Sequence, residues 1–112
     1  MSKALYIAYI TGSAESTIGL YYIGDGNIAG IDLGGLKYDG FYRIESDGSY
    51  EGILSYIIPK SAQLITGQST AEERRIEAPI KLPPEFWNGQ IVRIEMPLGV
   101  VNAKFEKLKE LA

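Results

Sequence analysis

The chain predicts an all-β fold: a small antiparallel up-and-down β-barrel of about eight strands, formed as one domain by residues 1–112. Three observations carry this expectation. The apolar residues are dominated by Ile, Tyr, Leu and Val, with eight Tyr among 112 residues, and β-branched and aromatic side chains suit a pleated, half-buried surface. Several runs alternate apolar and polar residues with period two. Asx-Gly pairs separate the runs at intervals that leave little room for helices.

In chain order, "ALYIAYIT" and "IGLYYIG" are apolar on both faces and are expected to be covered on both sides, by a barrel interior and by a partner surface. Asp25-Gly26 then turns the chain into "NIAGIDL", and Gly34-Gly35 makes the next turn. Asp47-Gly48 separates "FYRIES" from "SYEGILSYIIP". The run "TGQSTAEERR", residues 66–75, is polar and reads as an exposed loop. In "RRIEAPIKLP", Ile76, Ala78, Ile80 and Leu82 share one face, with Glu77 and Lys81 on the other. "LPPEFWN" cannot continue a central strand past two prolines and reads as a short 3₁₀ turn, with Phe86 and Trp87 placed to plug one barrel end. After Asn88-Gly89, "QIVRIEMP" alternates Val92, Ile94 and Met96 with Arg93 and Glu95. Pro97-Leu98-Gly99 leads into "VVNAKF". The last residues, "KFEKLKELA", admit two readings: one or two helical turns, or the end of the last strand.

Residues 24–42 hold six glycines and three aspartates in nineteen positions. Such density can cradle a phosphate, but the phosphate cradles need a helix after the glycines, and no helix pattern follows. These residues therefore read as backbone punctuation: Asp25, Gly26, Asp32, Gly34, Gly35, Gly48 and Gly89 in turns, with Gly30 and Gly40 marking a bulge or sharp bend inside strands. Asp32 is expected to accept hydrogen bonds from turn N–H groups. Asp25, Asp32, Asp39 and Asp47 are spaced as strands plus turns, unlike a calcium loop, whose ligands alternate within about a dozen residues. No metal or cofactor is expected.

The net charge is −3, with no Cys and no His. Disulfides, thiolate chemistry and the usual general base are excluded, and no nucleophile motif is present, so an enzyme is not expected. Scattered Lys and Arg form no basic stripe, which argues against nucleic acid and against a membrane surface. The apolar run after Met1-Ser2-Lys3 is short for a bilayer span and lacks a cleavage pattern. The expected location is cytoplasmic. Tyr combines an apolar body with a polar handle, and an outward apolar stripe is better hidden than left in water. A homodimer is therefore expected, through Tyr6, Tyr9, Tyr21 and Tyr22.

Residues 19–108 resemble the GrlR-like family, small β-barrel proteins typified by the negative regulator of type III secretion. The resemblance is carried by Gly30-Ile31-Asp32, then Tyr38-Asp39-Gly40-Phe41-Tyr42, and by the ending "VVNAKFEKL". It implies a lipocalin-like barrel, commonly dimeric, with an apolar interior. It also implies a non-enzymatic regulator that binds a transcriptional activator protein rather than DNA, through an acidic stretch between two strands. At the matching position this chain has Glu45-Ser46-Asp47-Gly48, two acids where the family type has four. The leading expectation is thus a regulatory barrel that occludes a protein partner through Glu45, Asp47 and Glu51, with Glu72 and Glu73 in the exposed loop. The alternative is a barrel holding a small apolar, lipid-like ligand, because an eight-stranded barrel can enclose one.

Overall fold

The structure is a computed structural model that describes residues 3–60, 72–97 and 99–112. Eight antiparallel strands are formed: β1 Lys3–Thr11, β2 Ser16–Gly24, β3 Asn27–Asp32, β4 Lys37–Ile44, β5 Tyr50–Ile58, β6 Arg74–Leu82, β7 Ile91–Met96 and β8 Gly99–Leu111. They make one sheet in the order β6-β5-β4-β3-β2-β1-β8-β7. The sheet curls so that its edge strands β6 and β7 approach one another without a ladder, giving a nearly closed barrel. Pro79, which has no N–H to donate, is tolerated because β6 is an edge.

The expected turns are present. Asp25 and Gly26 both have positive φ, 51° and 80°, and join Gly24 to its partner Asn27 as a two-residue type I′ hairpin. Gly35, Gly48 and Gly89 also have positive φ, while Gly34 sits in the β3–β4 turn without one. Pro84–Trp87 forms a short turn, as expected, closed by a 3₁₀-type bond in which the Asn88 N–H donates to the Glu85 carbonyl at 3.0 Å. Of the two readings for "KFEKLKELA", the strand is found. Pairing with β1 runs from Thr11↔Asn102 to Lys3↔Leu111, with a bulge at Leu108 between the Leu5↔Lys109 and Tyr6↔Lys107 pairs. The reason is tertiary: β1 has a second edge that needs a ladder, and that demand outweighs the helix-forming tendency of Lys, Glu and Leu.

Gly30 and Gly40 mark neither a bulge nor a break, since the ladders run through both in continuous register. They supply space instead. A Cβ at Gly30 would strike the ring of its cross-strand partner Tyr21, and a Cβ at Gly40 would strike the Ile53 carbonyl. Gly52 is in the same position relative to the Phe41 carbonyl. Paired across β4 and β5 as Gly40↔Leu54 and Tyr42↔Gly52, these glycines let two backbones close up as the barrel bends.

Candidate functional site

Strand parity decides which residues line the interior. On β1, Ala4, Tyr6 and Ala8 point inward; on β2, Tyr21 and Ile23; on β6, Ile76, Ala78 and Leu82; on β7 and β8, Val92, Ala103 and Phe105. The two barrel ends then differ. At the end formed by the β2–β3, β4–β5 and β6–β7 connections, Phe86 is 0 % exposed. Its ring centroid lies 5.0 Å from Tyr6, 5.2 Å from Tyr50, 5.0 Å from Trp87 and 5.1 Å from Phe105. The last three contacts are edge-on, the arrangement aromatic quadrupoles favour. Trp87 stacks under the Lys107 ammonium, 4.5 Å from the ring centroid. This end is plugged, as the Pro-Pro-Glu-Phe-Trp run predicts.

Beyond the plug the interior is hollow. A cavity of about 390 Å³ reaches the opposite end, where residues of the β1–β2 and β3–β4 connections form its rim. Its walls are mostly apolar, including Ile10, Ile23, Ile28, Leu54, Ile94 and Met96. The volume falls in the range of about 300–1,000 Å³ usual for small-molecule sites. The sequence left the question of a hollow interior open. The structure answers it: the buried inward positions include the small Ala8, Ala78 and Ala103, and Ala103 lines the cavity itself.

The polar groups of the cavity are few and placed together. Asp32 ends β3 with inward parity at the rim, and its Oδ1 accepts the Leu36 N–H at 3.1 Å, as turn geometry predicts. Its Oδ2 accepts the Tyr38 hydroxyl at 2.8 Å, a bond with no sequence signal, because a six-residue separation across a turn has no fixed geometry. The Tyr38 and Tyr21 rings sit 5.6 Å apart and the Tyr38 and Tyr56 rings 5.2 Å apart. Burial pushes the Tyr38 hydroxyl far up from its ordinary pKa, with Tyr21 and the Asp32 carboxylate adding to the shift. Tyr21 is raised by burial and then by Asp32, opposed by its bond with Tyr38. Both phenols are therefore neutral hydrogen-bonding groups. Glu15, Ser16 and Thr17 complete the rim.

The other expected sites are dispersed. Tyr6 and Tyr21, expected at a dimer interface, are 2 % and 8 % exposed and belong to the core. Only Tyr9 and Tyr22 of that set point outward, since inward and outward residues alternate along β1 and β2. Among the acids, Glu45, Asp47 and Glu51 do gather at the β4–β5 hairpin. Glu45 and Glu51 lie side by side, so that the Glu45 carboxyl, beside Glu51 and bonded by Arg43, is held below its ordinary value and that of Glu51 is pushed above it. Asp47 is held below the usual range by the hydroxyl and N–H of Ser49, which it accepts at 2.6 and 2.9 Å. Glu72 and Glu73 precede β6 at the other end of the β5–β6 pair, where Arg74 meets Ile58. Nine residues of strand, about 30 Å, separate them from the hairpin, so the five acids do not form one surface. Residues 66–71 of the expected loop lie outside the described residues. Asp25, Asp32, Asp39 and Asp47 are likewise scattered over a hairpin tip, the cavity rim, the outer face of β4 and another hairpin. Among the described residues no three acids come together as metal ligands, and no helix is long and apolar enough to cross a membrane.

The chain matches no protein-family model, no curated protein and no solved structure.

Proposed function

We propose that this protein binds one small, predominantly apolar molecule inside its barrel and acts through that binding rather than through catalysis. The observation that carries the reading is the apolar cavity of about 390 Å³, closed at one end by Phe86 and, among the described residues, open at the other. A core that served stability alone would be filled to near-crystalline density. Keeping this volume open costs dispersion contacts and is worth keeping only for an occupant. An environment-sensitive apolar dye, titrated onto the whole protein, tests it. Saturable one-to-one binding is expected, lost in Ala103→Trp, which fills the cavity with an indole while the far-ultraviolet circular dichroism stays that of the parent. Binding unaffected by the filled cavity would overturn the reading.

A second observation favours self-association through the outer face of β1, β2 and β3. Two cross-strand rows run over it. One is Lys109–Leu5–Tyr22–Ala29–Asp39 and the other Glu106–Ile7–Leu20–Ile31–Lys37. Each row has three apolar residues between end charges of opposite sign, and the signs alternate between rows. Laying a second copy face to face about either two-fold axis in the plane of the sheet therefore sets every end charge against its opposite. An isologous contact requires this self-complementarity. Leu20 and Ile31 are about two-fifths exposed in one chain, an apolar patch that a partner copy would cover. Sedimentation is expected to give a dimer for the parent and a monomer for Leu20→Lys; a parent that stays monomeric at high micromolar concentration would rule the face out.

A further inference from the structure

Resting on the cavity reading, we propose that the site selects an apolar molecule with a hydrogen-bond-donating head, an aliphatic amine above all, and discriminates against fatty-acid anions. The argument is one of donor and acceptor supply. An ionised carboxylate offers about four acceptor positions. Asp32 uses one for the Leu36 N–H and one for the Tyr38 hydroxyl, leaving capacity on both oxygens at the cavity rim. Tyr38 has spent its proton on Asp32 and is also bonded to Tyr21, so it offers a carboxylate head no free donor. Glu15 adds a second carboxylate at the rim, and among the described residues the lining includes no Lys or Arg. Ser16 and Thr17 can donate or accept and so do not discriminate between heads.

An ammonium head has three donors and no acceptor, and against Asp32 its hydrogen bonds are charge-assisted. An alcohol satisfies one acceptor without the charge. A carboxylate head brings acceptors to acceptors and like charge to like charge, where the apolar wall weakens screening. At about 30 Å³ per water-sized group, the cavity takes a tail of roughly a dozen methylenes.

The test is displacement of the apolar dye by dodecylamine, dodecanol and dodecanoate, each below its micelle concentration, at neutral pH. The amine is expected to bind about ten- to a hundredfold more tightly than dodecanoate, the span of one charge-assisted bond gained, with the alcohol between them. Asp32→Asn removes the charge, keeps an acceptor for the Leu36 N–H and turns an amide N–H toward the Tyr38 oxygen, and is expected to shrink the ratio to about threefold or less with dodecanol less affected than the amine. Glu95→Gln, on the outer face of β7, is the control for general attraction of cations to an acidic protein and is expected to leave the ratio intact. Dodecanoate equal to or tighter than the amine, or a ratio that survives Asp32→Asn, overturns the inference while leaving the cavity reading standing. Failure of all three to displace the dye overturns both. The ranking on the parent protein needs no variant, so it decides the matter even if Asp32→Asn does not fold.

Discussion

Truncating Phe86 to alanine is the sharpest single test of how the barrel is held together. The residue lies on the β6–β7 connection, outside any strand, yet it is fully buried and its ring contacts four other aromatic rings at centroid distances of 5.0 to 5.2 Å. Deleting a buried phenyl ring costs about 3–5 kcal/mol. Four aromatic contacts, each worth up to about 1 kcal/mol beyond area, place this site toward the upper part of that range. A domain of this size has about 5–15 kcal/mol in total, so Phe86→Ala removes a large share of it, and the melting temperature falls by roughly 4 °C per kcal/mol. Urea unfolding should be followed both by far-ultraviolet circular dichroism and by the emission of Trp87, the only tryptophan, whose native signal changes when its edge-on neighbour is lost. Phe86→Leu, which keeps an apolar body of similar size, is expected to lose only about 1.5 kcal/mol. A loss below about 1.5 kcal/mol for Phe86→Ala, with unchanged denaturant dependence, would refute the plug as a stabilising element.

Two further outcomes follow from the backbone and from the buried phenols. Gly52→Ala is expected to destabilise by at least about 2 kcal/mol, because its Cβ meets the Phe41 carbonyl and lies 2.7 Å from Tyr42 Cα, both backbone. Gly35→Ala, with φ of +85° but nothing within 4 Å, pays only the left-handed backbone term of about 1 kcal/mol; paired urea titrations compare them, and equal losses would refute the close-approach argument. Stability should be level from neutral pH to about 10 and fall above it. Burial pushes the Tyr6 hydroxyl up to about 12 and Tyr21 and Tyr38 higher still. Above the unfolded value near 10 the folded state holds protons that the unfolded chain has released, so the slope is negative, up to about 1.4 kcal/mol per pH unit for each such phenol. Chemical denaturation at stepped pH measures it, and a flat profile to pH 11.5 would contradict their burial.

How much of this was legible in the sequence depends on which physical signal each feature leaves. The Asx-Gly turns were legible because positive φ is a local demand. Ile76, Ala78, Ile80 and Leu82 were legible because β6 has one wet face. The plug was legible because two prolines end a strand just before two aromatics. On β1 and β2, by contrast, both faces are apolar, and alternation alone could not say that Tyr6 and Tyr21 turn in while Tyr9 and Tyr22 turn out. Pairing register decides that, and register is set by neighbours distant in sequence. The same holds for Gly30 and Gly40, whose missing Cβ atoms matter only because Tyr21 and Ile53 lie opposite. The Asp32–Tyr38 bond belongs to this group too.

The candidate site arises from a conflict between barrel curvature and side-chain volume. Gly40 and Gly52 let the β4 and β5 backbones close up, and Gly30 leaves the room in which the Tyr21 ring lies along the wall. Aromatic mass placed on the wall cannot also fill the axis. With a small alanine at the cavity-lining position 103, the cavity stays open along the axis, while the β6–β7 connection folds Phe86 inward at the opposite end. Tyrosine, unlike phenylalanine, must then find partners for its hydroxyl as burial removes water. Tyr38 finds Asp32 at the rim, and the need to satisfy a wall tyrosine is what places a carboxylate at the mouth of an apolar cavity. Folding and the proposed recognition thus draw on the same pair. A Tyr38→Phe variant would free an Asp32 oxygen for a ligand while removing a wall hydroxyl, so it is expected to weaken the fold without abolishing the preference for a donor head.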